Sequence, residues 1–399
     1  MLAGEAGEPV RWAIDHQISV GKMFDADRLV AVSQAHMMVD PESAGEAGVG
    51  FLEKLADQGA HVAIPMITDP RGVDLNYYSP LGQTEEMANL DRRTIDACSR
   101  MGILMTNTCI NYQTIMSPVL GDHVAFGDTG VVIYSNSVCG ARSNFEGGPS
   151  ALAAGLTGRT PCYGLHLDQR RKATRCFVVS EQPLNLTDWG VLGAVIGKKS
   201  GSYWEVPLIE GLEVVPTSDE LKHLGAAMAS FGSTPLFHIA GITPEAQSVS
   251  DVEGSHLPQE KISREDLQEL RSGFGHKGDK VDVVVFAAPQ LSLIEMQQVA
   301  KHCHGQTIKS PMLVCTSPQV YADAVRMQLV QTIEDCGAKV LEGTCFYNQY
   351  AREIGQANGW TRLLSNSAKI VNILGGYGYQ PALASMEDCV ASAIAGEIV

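Results

Sequence analysis

Three of the ten cysteines in this 399-residue chain fall where an apolar strand should give way to a polar turn: Cys109 in TNTCINYQ, Cys315 in MLVCTSPQV and Cys345 in LEGTCFYNQ. Strand ends are where α/β folds assemble sites, and thiolates are the soft ligands of metal clusters. Such ligands converge in space rather than in sequence, so the wide separations are permissible, but they lack the specificity of a CxxC repeat. On spacing alone, three inert buried thiols explain the pattern as well, because free cysteine is among the most buried residue types. Cys98, Cys162, Cys176, Cys303, Cys336 and Cys389 have no polar companions and read as small hydrophobes. Cys139 lies in a polar loop, and it or Cys109 could instead serve as a nucleophile.

Ser365-Asn366-Ser367-Ala368-Lys369 follows an expected strand at 362–364 and should open a helix, aiming N–H groups and a lysine at a carboxylate or phosphate. A plain serine cap with a solvated lysine is the alternative. Arg142, Ser143 and Asn144 offer a guanidinium fork and two short polar groups beside Gly147 and Gly148, where backbone can approach a ligand. Asn111, Tyr112 and Gln113 directly follow Cys109 and are natural neighbours of a metal cluster or its substrate. His36, at a strand end in SQAH, could donate to a substrate or be a structural histidine fixed by one hydrogen bond. His166 and Asp168 in YGLHLDQRR carry the same ambiguity.

The elements that must position these residues alternate between helix and strand. Apolar periodicity predicts helices at 4–22, 46–58, 84–101 and 151–156, with strands at 25–32, 61–67, 103–106 and 131–135. The stretches 107–113 and 136–150 read as loops. A polar stretch at 241–280, with a charged helix at 263–270, divides N-terminal α/β lobes (1–240, carrying Cys109 and GARSNFEGGPS) from a C-terminal lobe (281–399, carrying Cys315, Cys345 and SNSAK). In the latter, strands at 281–288, 312–316, 339–342 and 362–364 alternate with helices at 292–301 and 320–336, the pattern of a parallel three-layer α/β/α arrangement.

With 45% hydrophobic and 19% charged residues, the composition is that of a compact protein with a substantial core. The net charge of −16, from 29 basic and 45 acidic side chains, argues against nucleic acid as a partner, although a few local cations can still build an anion pocket. No signal-like segment and no apolar run of the ~18 residues that span a bilayer is present, so no membrane association and a cytoplasmic location are expected. Cysteines kept reduced there are not a disulfide framework.

The opening MLAGEAGEPVRWAI, the segment AHMMVDPESAGEAGVGFLEKLADQGAHVAIPMITDPRGVDL, the loop CINYQ, the run YSNSVCGARSNFEGGPSALAAGLTGRTPCYGLHLD, and the later VCTS, GTC and SNSAK together resemble the aconitase X large subunit over nearly the whole chain. The resemblance implies an aconitase-like three-lobed core around an iron-sulfur cluster held by Cys109, Cys315 and Cys345. Cluster nuclearity (2Fe-2S, 3Fe-4S or 4Fe-4S) is left open. It further implies hydro-lyase chemistry on a small hydroxy carboxylate, in which a three-ligand cluster leaves one iron free to act as Lewis acid. The catalytic base, a serine, comes in this family from a small swivelling domain, which this chain is expected to lack and to receive as a separate small subunit.

Two activities are associated with the family: dehydration of cis-3-hydroxy-L-proline in bacterial members and of mevalonate 5-phosphate in archaeal ones. CINYQ and GARSNFEGGP are closer to the bacterial pattern than to the archaeal CTPY and GARTNREGGP, and Phe145 replaces a basic residue that could face a phosphate. Hydroxyproline is therefore the expected substrate. Where the family pattern reads Gly-x-Pro-His, this chain has Ala287-Ala288-Pro289-Gln290, and glutamine cannot titrate near neutrality. That departure, with the missing base, keeps a cluster-free, non-catalytic relative as an alternative.

Overall fold

The computed structural model describes Met1 and residues 4–399; the second and third residues of the opening motif lie outside the described residues. Among the described residues no helix is long and apolar enough to cross a membrane. The chain builds three lobes, each on a parallel sheet.

The first lobe carries three strands in the spatial order Met66–Thr68, Ala35–Met37, Ala125–Phe126. Helices Glu8–Met23, Pro41–Asp57, Glu85–Arg100 and Gly147–Thr157 surround them. Each helix end follows local chemistry: Asp40 caps the second through the Ser43 N–H, Thr84 caps the third, and Gly158, at φ +67°, ends the fourth. Leu29–Ala31 and Arg159–Pro161 form a small antiparallel ribbon.

The second lobe orders its four strands His238–Ile239, Pro207–Glu210, Arg175–Val179, Gln259–Ile262. The polar stretch 241–280, expected to connect lobes, thus carries structure of its own: Gln259–Ile262 pairs in parallel with Arg175–Val179, and helix Arg264–Ser272 follows. It reads as polar because it is an edge strand with largely solvated side chains. Helices Leu186–Ser200 and Ser218–Gly232 cross so closely that a Cβ at Gly193 would lie 2.1 Å from the Leu224 carbonyl oxygen.

The third lobe is doubly wound, its five strands ordered Lys339–Glu342, Met312–Thr316, Val283–Leu291, Arg362–Ser365, Gln380–Leu383. The nine residues of the central strand are all buried, as a parallel sheet covered on both faces requires. After it the chain winds first to one side and then to the other, so its carboxyl end is a topological switch point, where such sheets bind ligands. Cys315 lies near the end of one flanking strand and SNSAK follows the other.

Several expected elements differ. Residues 131–135, expected as a strand, lie in helix Thr129–Ser137, whose residues 130–137 are all buried. A helix buried on every side shows no 3.6-residue periodicity, and a β-branched run within it mimics a strand. Asp128 starts it, its Oδ2 accepting the N–H groups of Gly130 (2.8 Å) and Val131 (3.0 Å). The helix expected at 320–336 is two, Pro318–Arg326 and Leu329–Asp335, broken where Gln328 takes φ +60°. The strand expected at 103–106 is a single bridge from Leu104 to Ile67, and within the loop at 107–113 a short helix begins, Asn111–Thr114. One large apolar cluster runs through the Thr129 helix and the second and third lobes and takes in Phe126 of the first, while the rest of the first lobe packs mainly in a second cluster.

Candidate functional site

Cys109, Cys315 and Cys345 come from three separate segments and are all buried. Burial, then the neighbouring Cys345 thiol, pushes the Cys109 thiol well above its ordinary range. Burial likewise pushes Cys315 up to about 12, against a Thr344 hydroxyl and a Phe346 N–H that favour its thiolate, and the charge of Cys109 is felt there too. The donors aimed at sulfur are the Gln290 N–H on Cys109 Sγ (3.4 Å) and the Thr344 hydroxyl on Cys315 Sγ (3.9 Å).

Beside the thiols lies a buried pair. Lys369 Nζ reaches Asp128 Oδ1 at 3.3 Å, and the Tyr347 hydroxyl donates to the same oxygen at 3.2 Å. Burial disfavours the Lys369 charge, but Asp128 and the thiols Cys109 and Cys345 outweigh it and hold the ammonium above the usual lysine range. Burial also opposes the Asp128 carboxylate, yet Lys369 and the Val131 N–H hold it below the usual carboxylate range. Ser367 caps helix Ala368–Leu374 by accepting the Ile370 N–H and donates to the Ala288 carbonyl, so SNSAK does open a helix. Asn366 is buried beside it, its carbonyl taken by the Thr187 hydroxyl.

His36 is fully buried with Nε2 at 2.9 Å from the Thr108 carbonyl, an acceptor only, so Nε2 carries the proton and Nδ1 is left as an acceptor without a partner. Burial lowers its pKa and keeps the imidazole neutral. Asp69 Oδ1 lies 3.6 Å from His36 Nε2, and neither Asp69 oxygen has a hydrogen-bond partner. Burial, then the Asp128 charge, pushes Asp69 well above the usual carboxylate range, which favours its protonated form.

Asn111 Nδ2 donates to the Met116 carbonyl (3.2 Å) while its Oδ1 is unpaired; Tyr112 stacks on Tyr134 (3.9 Å between centroids) with an unpaired hydroxyl. Gln113 binds Ser218 and Asp219. The second loop is committed internally: Arg142 to Asp168 (2.5 Å) and the His166 carbonyl, Ser143 to Asn144 O and Phe126 N, and Asn144 to Tyr163 O, Leu165 N and the Tyr203 hydroxyl. Cys139 sits near Ser117 at 3.8 Å, away from a base, and burial raises its pKa, which does not suit a nucleophile.

Asp69, Asp128 and Tyr347 were not singled out by sequence reasoning, nor were Asn348 and Gln349, which follow Cys345 and whose side-chain amides are buried with no partner among the described residues. Asp128 in GDTG is a helix-cap signal that the strand reading of 131–135 concealed. Unpaired buried polar groups cost about 1–3 kcal/mol each, and those on Asn111, Asn348 and Gln349, in the segments that carry Cys109 and Cys345, are what a bound polar group would satisfy.

Among the described residues no three His, Cys, Asp or Glu side chains are placed to hold one metal ion. An iron-sulfur cluster sets a different demand, since each thiolate binds a different iron across a wider span. Three buried soft ligands with hydrogen-bond donors aimed at sulfur, and unpaired buried polar groups on the segments that carry them, fit such a group.

Family models described as the first, second and third domains of aconitase X match residues 1–169, 173–272 and 281–395. The phosphomevalonate dehydratase large subunit of Methanosarcina mazei is 36% identical across 100% of this chain and 96% of its own length, and that of Methanothermobacter thermautotrophicus 35% across 94% and 92%. The cis-3-hydroxy-L-proline dehydratase of Pseudomonas aeruginosa is 31% identical over 99% of this chain but 69% of its own length. The holo-form crystal structure of Thermococcus kodakaraensis aconitase X superposes with a TM-score of 0.89 at 30% identity, covering 98% of this chain and 97% of that one. This chain belongs to the aconitase X family.

Proposed function

We propose that the chain is the large subunit of an iron-sulfur hydro-lyase that removes water from a small hydroxy carboxylate, with Cys109, Cys315 and Cys345 as cluster ligands and cis-3-hydroxy-L-proline as substrate. The observation that carries the reading is the convergence of three thiols on the switch point of a parallel sheet, beside the buried Lys369–Asp128 pair. An iron-sulfur cluster held by Cys109, Cys315 and Cys345 would supply a Lewis acid for a hydroxyl leaving group.

The chain's own residues bind and orient. Lys369, steadied by Asp128, receives the substrate carboxylate with Ser367 and Asn366 behind it. Asp69 holds a proton at an unpaired carboxyl oxygen, available to a departing hydroxyl. Neutral His36 offers Nδ1 as an acceptor, and Asn111, Tyr112 and Gln113 line the approach. Arg142, Ser143 and Asn144 are bonded within their own loop and its neighbours, so a substrate-binding role for them would require those bonds to open. The base that removes the carbon-bound proton is expected as a serine from a small swivelling subunit, a reading supported by relatives named as large subunits. Ten free cysteines and an oxygen-sensitive cluster suit the reducing cytoplasm.

The hydroxyproline reading is supported by charge. A phosphate brings roughly −1.5 to −2 at neutral pH, whereas the Lys369 cation is already neutralised by Asp128, and Phe145, where the archaeal pattern has a basic residue, packs edge-on against Tyr203. Mevalonate 5-phosphate is the second reading, favoured by identities of 35% and 36% to its dehydratases against 31% to the hydroxyproline enzyme. The test is anaerobic assay of the reconstituted chain with its small subunit on both compounds. Loss of water from cis-3-hydroxy-L-proline is expected; turnover of mevalonate 5-phosphate alone would overturn the substrate, and full activity without iron would overturn the chemistry.

A further inference from the structure

Gln290 is the penultimate residue of the central strand of the third lobe and is fully buried. Its side chain is shared among all three cysteine segments. Oε1 accepts the Cys109 N–H at 3.1 Å. Nε2 donates to the carbonyls of Asn107 (3.2 Å), two residues before Cys109, of Thr316 (3.3 Å), next to Cys315, and of Thr344 (3.0 Å), next to Cys345. The Gln290 backbone joins in, its N–H on Cys109 Sγ at 3.4 Å and its carbonyl accepting Lys222 Nζ at 3.3 Å.

A primary amide has two hydrogens, so serving three carbonyls requires a shared, three-centre bond. Every polar atom of this side chain is spent inside the protein. The contrast is with Asn348 and Gln349, whose amides are equally buried and have no partner. Unpaired amides suit a ligand; a saturated one braces the backbone. An aliphatic side chain of the same length would take a partner from the Cys109 N–H and from the Asn107 and Thr344 carbonyls, while the Thr316 carbonyl would keep the Gly343 N–H. The histidine of the family pattern, with one donor and one acceptor when neutral, cannot reach all three carbonyls at once.

We infer that Gln290 is a positioning residue that fixes the mutual spacing of the Cys109, Cys315 and Cys345 backbones and thereby sets how tightly the chain holds its cluster. It acts through the three peptide segments and touches no reacting atom. The cluster half of this inference rests on the function proposed above; the bracing half stands on the hydrogen bonds alone.

The test compares Gln290→Met and the milder Gln290→His with a control, Gln17→Met, which removes a comparably buried amide bonded to Thr157 and the Arg159 carbonyl in the first lobe. In metal-free protein, hydrogen exchange is read on peptides covering 107–113 and 343–349. Gln290→Met should speed exchange roughly tenfold in both windows, the fold-change that follows from losing one buried hydrogen bond, with Gln290→His in between and Gln17→Met unchanged there. In cluster-loaded protein, iron release to a chelator should accelerate about tenfold for Gln290→Met and not for the control. Exchange within twofold of the wild type in both windows overturns the brace. Faster exchange with unchanged iron release overturns its role in cluster retention. If Gln290→Met does not fold, Gln290→His decides by the same two readings. A wild-type chain that takes up no iron overturns the proposed function and the cluster half together, and the exchange result still decides the bracing.

Discussion

Replacing Lys369 by Met removes the ammonium from Asp128 while keeping the length of the side chain. Both partners are nearly inaccessible, with side-chain exposures of 4% and 2%. Asp128 would keep three hydrogen bonds, from Tyr347, Gly130 and Val131, but no countercharge. Breaking a buried pair from one side costs about 3–5 kcal/mol, and the retained bonds place this case near the lower end, about 3 kcal/mol. With a urea dependence of about 3 kcal/mol per molar, the first unfolding transition should move down by roughly 1 M at pH 7. The pH dependence follows from the sign of the shift. In the wild type Asp128 is held below its unfolded pKa, so its contribution is present above about pH 3.9 and lost as pH falls through the folded value. In the variant burial loses its largest opponent, Lys369, while the Val131 N–H and the other retained bonds still favour the carboxylate; the folded pKa rises and the stabilisation present above about pH 3.9 shrinks. The deficit against the wild type should therefore shrink between pH 7 and pH 4. Adding Asp128→Asn, which removes the stranded charge, should recover about 1–3 kcal/mol. The assay is urea unfolding of metal-free protein followed by circular dichroism at both pH values. A Lys369→Met midpoint equal to the wild type at pH 7 would refute the reasoning, because it would mean that the ammonium is solvated.

Three further expectations concern other parts of the molecule. Glu295, buried against Lys222 and His223, is penalised by burial but held down to about 2 by those partners, so its roughly 3 kcal/mol of stabilisation should be present above the unfolded pKa near 4.3 and vanish toward pH 2; acid titrations of stability should flatten over that window in Glu295→Gln, and an unchanged curve would count against the pair. Gly193→Ala would drive a Cβ to 2.1 Å from the Leu224 carbonyl oxygen and should cost about 1–3 kcal/mol in a denaturant melt, with no cost if the two helices can simply separate. Asp69→Asn replaces a carboxyl whose protonated form burial favours, so stability should change by less than about 1 kcal/mol while turnover falls about 10²- to 10⁴-fold; a large loss of stability with turnover intact would show that Asp69 is ionised and structural.

What could be read from the sequence was whatever local chemistry controls. Met312–Thr316 and Lys339–Glu342 end where expected because apolar runs stop at polar turns, and Thr84 and Ser367 stand at the starts of helices expected there. The Thr129 helix was hidden because total burial erases the polar face that periodicity depends on, and with it went Asp128, the countercharge of the site. Convergence of the cysteines could not be read from their spacing, since it depends on the order in which the third lobe's strands cross over. Gln290 shows the same limit in reverse. In sequence it is a departure that forfeits acid-base chemistry; in the fold its value lies in hydrogen-bonding capacity, visible only once three carbonyls meet around it.

The central claim, that this chain uses three cysteines to carry a cluster for hydro-lyase chemistry, is tested most directly by iron and acid-labile sulfide analysis after anaerobic reconstitution of the wild type and of Cys109→Ala, Cys315→Ala and Cys345→Ala. The wild type should bind iron and sulfide in near-equal amounts with charge-transfer absorption, and each variant should remain folded yet lose both. Retention of a full complement by any folded single variant, or a wild type that binds neither and still dehydrates its substrate, would contradict it.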